Sequence, residues 1–272
     1  MQTTCCQFDL LICPFPDVGE QPVSWGEQKN PRAAKNFKAI VDMKTGKVFS
    51  IVSKDYKLIR HEEAITQVEQ ELSNKKGLGQ YEAITEFSNE GGRMRRTYRF
   101  TGNAAEVKKG DPIYPELHLF NSYDKTWPFF ILLGALRVVC ENGLVFGQGL
   151  LYLRKRHIYQ LGQINVAEEV GTALKRFNQQ TMEWKGWTER ILSPRVYSKV
   201  LEAMKLGVNA SEEVESRVFS EAEGLDPDGF PILTVWGFYN VLTWHITHNS
   251  VSLNHRVEME DRLRAAISYL MR

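Results

Sequence analysis

LHLFNSYDKTWPFFILLGALRVVCENGLVFG, running from Leu117 to Gly147, is the longest apolar run in the chain, and its reading decides the fold. It divides into two strand-like pieces, Pro115 to Asp124 and Phe129 to Val139, joined by a corner at Asp124 to Pro128. The second piece is apolar at consecutive positions, which suits a central strand covered on both faces. Such a strand requires helices or a second sheet above it. Polar residues interrupt the run at Asn121, Asp124, Arg137 and Asn142, and these are expected to fix its corners. An arginine between Leu136 and Val138 must reach a strand end or meet a partner, because an unpaired buried charge is costly. Asp124 and Glu141 are the nearest partners by sequence, and a contact to phosphate is the alternative.

Upstream the period is two. NFKAIVDMKTGKVFSIV from Asn36 reads as a hairpin whose Gly46 supplies positive φ at the reversal. Ala64, Ile65, Val68 and Leu72 then fall at helical spacing, with Glu62 and Glu63 in the first turn where the helix dipole favours acids. A second hairpin spans Tyr81 to Phe100 around Asn89-Glu90-Gly91-Gly92. On its return strand Met94, Tyr98 and Phe100 point one way, and Arg93, Arg95, Thr97 and Arg99 the other. Residues 1–34 hold Pro14, Pro16, Pro22 and Pro31 with Gly19 and Gly26, which reads as an extended arm that orders only by packing on the body or on a neighbouring subunit.

Downstream the period lengthens to about 3.6. Val166, Val170, Ala173, Leu174 and Phe177 form a stripe, and Ser193-Pro194 is a cap followed by proline at the first helical position. An acidic helical segment from Ser211, an aromatic one from Thr234 and an amphipathic one from His255 complete the chain. Strands first and helices afterwards indicate an α+β protein: N-terminal antiparallel hairpins with one helix forming a sheet, and a C-terminal helical region packing on it. The expected organisation is an arm over 1–34, a sheet-plus-helix core over 35–160 and a helical region over 161–272, the last two forming one compact unit.

A net charge of +1 argues against a uniformly basic coat but permits basic faces balanced by acidic ones. Cys5, Cys6, Cys13 and Cys140 lack paired metal spacing and read as reduced thiols. The N-terminal segment is a poor signal peptide, and no apolar run approaches the roughly 20 residues of a membrane span. A soluble cytoplasmic protein without membrane partners is expected.

Three islands carry a family resemblance. Val52, Tyr56 and Glu62-Glu63-Ala64 form the first. Asn121-Ser122-Tyr123-Asp124 followed by Arg137-Val138-Val139-Cys140-Glu141-Asn142-Gly143 form the second. Thr234 to Thr243 with His248 form the third. Together they resemble the phage/plasmid-like family called domain of unknown function 932, from which the chain departs at Tyr123 and Gly143, where the family usually has His and Thr. The resemblance implies a phage, prophage or plasmid origin, a bacterial cytoplasm, and a setting among DNA-metabolism genes. The order of strands and helices also resembles that of ring-forming single-strand annealing proteins, an analogy at the level of fold.

Evenly spaced cations on a pleated strand match a sugar-phosphate backbone, so Arg93, Arg95 and Arg99, with Lys108 and Lys109 beyond, are candidate nucleic-acid contacts. Tyr98 or Tyr114 would supply stacking if exposed. Arg154, Lys155 and Arg156, next to His157, are a second basic cluster. The plainer reading of both is a charged sheet edge. The acidic segment from Glu212 to Asp228 could neutralise such a face on a neighbouring protomer, which favours a homo-oligomer. Cys140 with His118 and Asp124 or Asn142 is a nucleophile candidate, although cysteine after two valines is more often a small core residue. His245 and His248 share a helical face but lack a third metal ligand. No cofactor is expected. The expected function is therefore non-enzymatic binding of single-stranded nucleic acid, assisting annealing or recombination. The alternatives are a metal- or cysteine-dependent enzyme and a protein-interaction factor modulating a host defence system.

Overall fold

The change of period near Val166 is the main division of the fold. Ten strands precede it and five of the six helices follow it, among the described residues. The structure is a computed structural model that describes residues 15–27, 29–74, 78–137, 142–145, 152–155, 166–249 and 253–271; at 136, 137, 142–145, 152–155, 167, 253, 254, 256 and 257 only the backbone is described. In chain order the elements are β1 (Val18–Trp25), β2 (Arg32–Asp42), β3 (Val48–Ser53), α1 (His61–Asn74), β4 (Glu82–Ser88), β5 (Arg93–Arg99), β6 (Ala105–Lys108), β7 (Asp111–Ser122), β8 (Phe129–Arg137), β9 (Asn142–Val145), β10 (Tyr152–Lys155), α2 (Val166–Thr188), α3 (Pro194–Met204), α4 (Val208–Glu221), α5 (Val235–Asn249) and α6 (Leu253–Leu270). The α+β class read from the sequence is the class observed. Two units are present, one of Met1–Arg99, Leu117–Leu132 and Tyr152–Gly171, the other of Phe100–Glu116, Leu133–Leu151 and Thr172–Arg272.

The first unit opens with an antiparallel sheet in the order β1-β2-β3. Residues 18–25 of the expected arm are the strand β1, ordered by pairing along β2; Pro22 stands where the register shifts, a place that spares the ladder a missing donor. The β2–β3 turn is held by Asp42, whose carboxylate accepts from the Lys44 amide at 2.9 Å and the Thr45 hydroxyl at 2.8 Å. Gly46 closes it at φ +74°. The inner face buries Val18, Ile40 and Val52 with Tyr123, flanked by Phe49, Tyr56 and Leu58.

At the start of helix α1 the Arg60 carbonyl accepts the first helical bond from the Ala64 amide, and Glu63 reaches back to accept from the Arg60 amide at 3.2 Å, one half of a capping box. Ala64, Ile65, Val68 and Leu72 form its buried stripe, as their spacing predicts. The second sheet of this unit has the order β10-β8-β7-β5-β4. β4 and β5 form a hairpin in register from Glu82↔Arg99 to Ser88↔Arg93, reversing at Asn89 and Glu90, both at φ 53°. Phe129 to Leu132 of β8 are all buried, so both faces of this part of the strand are covered, as its consecutive apolar residues predict.

In the second unit β6 pairs with the start of β7, and β9 with the end of β8. Its helices enclose an aromatic core in which Trp184 lies 5.5 Å from Trp236 and 6.1 Å from Tyr239, centroid to centroid. Each such fully buried aromatic contributes about 2–3 kcal/mol. α3 begins at Ser193, whose hydroxyl accepts from the Val196 amide at 3.3 Å, with Pro194 in the first turn. α5 is buried on nearly every side, so Gly237 has a packing reason: a Cβ there would lie 2.6 Å from Leu233 Cδ1.

Candidate functional site

The corner of the opening stretch is densely hydrogen-bonded. Asn121 is fully buried and its amide donates to the Ile59 carbonyl at 2.9 Å, which fixes which side of the amide is nitrogen. The same nitrogen lies 3.0 Å from His61 Nδ1, so Nδ1 accepts, and Nε2 donates to the Gly91 carbonyl at 3.0 Å. His61 is thus held as the neutral Nε2–H tautomer. Its ring stacks on Tyr123 with centroids 4.0 Å apart, and the Tyr123 hydroxyl accepts from the His61 backbone amide at 2.8 Å. That amide belongs to the first turn of α1, where no helical carbonyl is available to it. Burial pushes the Tyr123 phenol well above its ordinary range, so it stays protonated and able to hold this position.

Asp124 completes the corner. Its Oδ2 accepts from Arg93 Nε at 2.5 Å and from Asn89 Nδ2 at 2.8 Å, and its Oδ1 from the Thr126 amide at 3.0 Å. Burial by itself would raise this carboxyl, but the Thr126 amide and hydroxyl, Arg93 and Asn89 outweigh it and hold the group below the usual carboxylate range. The structure therefore gives Asp124 the partner Arg93, from the neighbouring hairpin. The side chains of Arg137 and Asn142 lie outside the described residues; their backbones stand opposite one another at the β8–β9 pairing. Cys140 and Glu141 also lie outside the described residues.

On β5 the expected alternation is present, with one addition. Arg95 pairs with Glu86, its neighbour across the hairpin, at 2.5 Å, and Arg99 stands opposite Glu82 in register. Thr97 and His118 Nδ1 meet at 3.1 Å on this same outward face. Beside it the Arg93 guanidinium lies 6.0 Å from the Trp127 ring centre, and Phe120 stacks on Phe130 at 4.3 Å. On the inward face, between Met94 and Tyr98, Arg96 is buried and donates to Glu69 of α1 and to Thr85 of β4, both at 2.5 Å. The sequence reading passed over Arg96, although a charged residue in an otherwise apolar column is a visible signal for a buried ion pair. It also passed over His61, for which the sequence carries no signal.

Tyr98 does not serve as a stacking platform: it is fully buried on the α1 side, because its place in the alternation is the apolar face. Tyr114 is half-buried, in the second unit. Lys108 and Lys109 are exposed at the β6–β7 turn, also in the second unit. Arg154 and Lys155 pair in register with Phe130 and Phe129, so β8 and β7 separate them from the arginines of β5 by about 14 Å. Their side chains, and Arg156 altogether, lie outside the described residues.

His245 Nδ1 lies 3.0 Å from Glu213 on α4 and 3.1 Å from Asn249, whereas His248 bonds the Trp244 carbonyl at 2.8 Å and stacks on that ring. Among the described residues no three His, Cys, Asp or Glu side chains come together as a metal site. None of the described helices is long and apolar enough to cross a membrane.

The residues that carry the family resemblance thus have identifiable structural tasks. Val52 is core, Glu63 caps α1, Asn121 and Tyr123 hold His61, and Thr234 and Asn240 bond the backbone of α5 at 3.0 and 2.6 Å. No curated protein and no solved structure matches the chain. A family model does match it, over residues 48–267, and the chain belongs to that family, described as Domain of unknown function (DUF932).

Proposed function

We propose that this chain binds single-stranded nucleic acid, DNA in preference, as a homo-oligomeric protein of a phage, prophage or plasmid in a bacterial cytoplasm, where it assists strand annealing or recombination. The observation that carries the reading is the outward face of β5, on which Arg93 and Arg95 stand about 7 Å apart and Arg99 about 14 Å beyond Arg95, with Thr97 at the position between. That spacing suits phosphates of an extended strand. Arg95 and Glu86 keep 47% and 40% of their side chains exposed, and such a pair holds by no more than about 1 kcal/mol. A phosphate can therefore replace Glu86. Arg93 is committed more firmly, since Asp124 is nearly buried. Trp127, half-buried beside Arg93, is the ring placed to stack on a base.

The test is fluorescence anisotropy of labelled single-stranded and duplex oligonucleotides across a salt series. The expected result is tighter binding of the single strand, with affinity falling steeply as salt rises. Reversing Arg95 and Arg99 together to glutamate should weaken binding at least about tenfold for every sequence and reduce the salt slope by about two. Absence of binding at low salt would overturn the reading.

A further inference from the structure

We infer that the outer face of the β1-β2-β3 sheet is a self-association surface, on which two copies of the chain stack face to face about a twofold axis. The inner face of this sheet is occupied by its core, but the outer face carries four large apolar side chains in the open: Phe37 (54% exposed), Met43 (48%), Val48 (55%) and Ile51 (49%). Strand register makes them one patch. Ala39 pairs with Ile51, Val41 with Val48 across the β2–β3 ladder, and Gly19 of β1 with Val41, while the Met43 thioether lies directly over Gly19. Ala39 and Val41, nearly buried, form the floor between the four.

Two arguments commit the patch to a second copy of the same face. The first is area. Four half-exposed side chains of this size present on the order of 400 Å² of apolar surface, so a twofold contact removes about 800 Å² from water. At the roughly 60% apolar character of protein interfaces, that corresponds to about 1,300 Å² in total, within the range of stable dimers. The second is the state of the sheet edges. The outward carbonyl of Ile51 on β3 accepts from Lys125 Nζ at 3.0 Å, and that of Val18 on β1 from Arg60 Nε at 3.1 Å. Cations on both edges oppose the addition of a strand from another chain, which leaves the face as the way to associate. A patch that is apolar at its centre is self-complementary, as a twofold interface must be.

This inference rests on the oligomeric part of the proposed function, so its test uses protein free of nucleic acid. Sedimentation velocity over a concentration series should show the wild-type chain at twice its 31.3 kDa mass, dissociating on dilution. Phe37→Glu and Ile51→Lys, each outward-facing and each checked for an unchanged circular dichroism spectrum, should sediment as monomers at concentrations where the wild type is dimeric. A wild-type monomer at the highest concentration would overturn both the oligomeric reading and this surface. A wild-type oligomer that both variants retain unchanged would leave the oligomer standing and overturn the surface.

Discussion

Tyr123 touches three segments at once: its ring and hydroxyl meet the ring and amide of His61 at the start of α1, its carbonyl accepts from Ser50 of β3 at 2.7 Å, and its amide donates to the Gly92 carbonyl at the β4–β5 turn at 2.8 Å. Tyr123→Phe keeps the ring and leaves that buried amide unpaired, so stability should fall by about 1–3 kcal/mol in denaturant titrations. A second consequence concerns the buried cation of β5. Glu69→Ala leaves Arg96 in the protein interior without its carboxylate, with Thr85 and the Tyr98 ring still beside it, and should cost about 2 kcal/mol or more. Asp124 makes stability depend on pH. Its folded pKa lies below the unfolded value, so its contribution is present above about pH 4 and is lost as pH falls through the folded pKa. Wild type and Asp124→Asn should therefore differ in stability at neutral pH and converge in acid.

Element ends are where the helical region can be tested without touching its core. α3 runs from the Ser193 cap to Lys205, which takes a left-handed conformation at φ 51° while its amide bonds the Leu201 carbonyl at 3.3 Å. Lysine accepts that conformation at a steric cost that glycine avoids. Lys205→Gly should thus stabilise the protein by a few tenths to about 1 kcal/mol, and Ser193→Ala should destabilise it by about 1 kcal/mol. Paired thermal melts of the two variants, shifted in opposite directions, would check both.

At the scale of the whole molecule, both units depend on tyrosines that cannot ionise in place. Burial raises the phenols of Tyr56, Tyr98, Tyr123 and Tyr239 well above their ordinary range. Groups whose folded pKa exceeds the unfolded one give stability that is complete below about pH 10 and lost as pH rises beyond it. Alkaline titration should therefore show tyrosinate absorbance from these rings appearing together with loss of secondary structure, rather than before it. Separate transitions would show that the phenols are more accessible than their burial indicates. The arginine face of β5 belongs to this scale too, since what decides its role is whether salt and charge reversal act on binding as they must for phosphate contacts.

The α+β class, the hairpins at Gly46 and at Asn89 to Gly92, the buried stripe of α1 and the Ser193 cap were all legible in the sequence, because each follows from local periodicity or from a residue within four positions. The pairing of Arg93 with Asp124, of Arg96 with Glu69, and of His61 with Asn121, Tyr123 and Gly91 was not, because the partners stand between 27 and 62 residues apart. Alternation told which side of β5 each arginine leaves from but not what it meets there. That the Asn-Ser-Tyr-Asp corner fixes the strand ends was readable from the sequence; only the strand order, by setting β7 beside β5 and α1 across its inner face, decided that it joins sheet, hairpin and helix together.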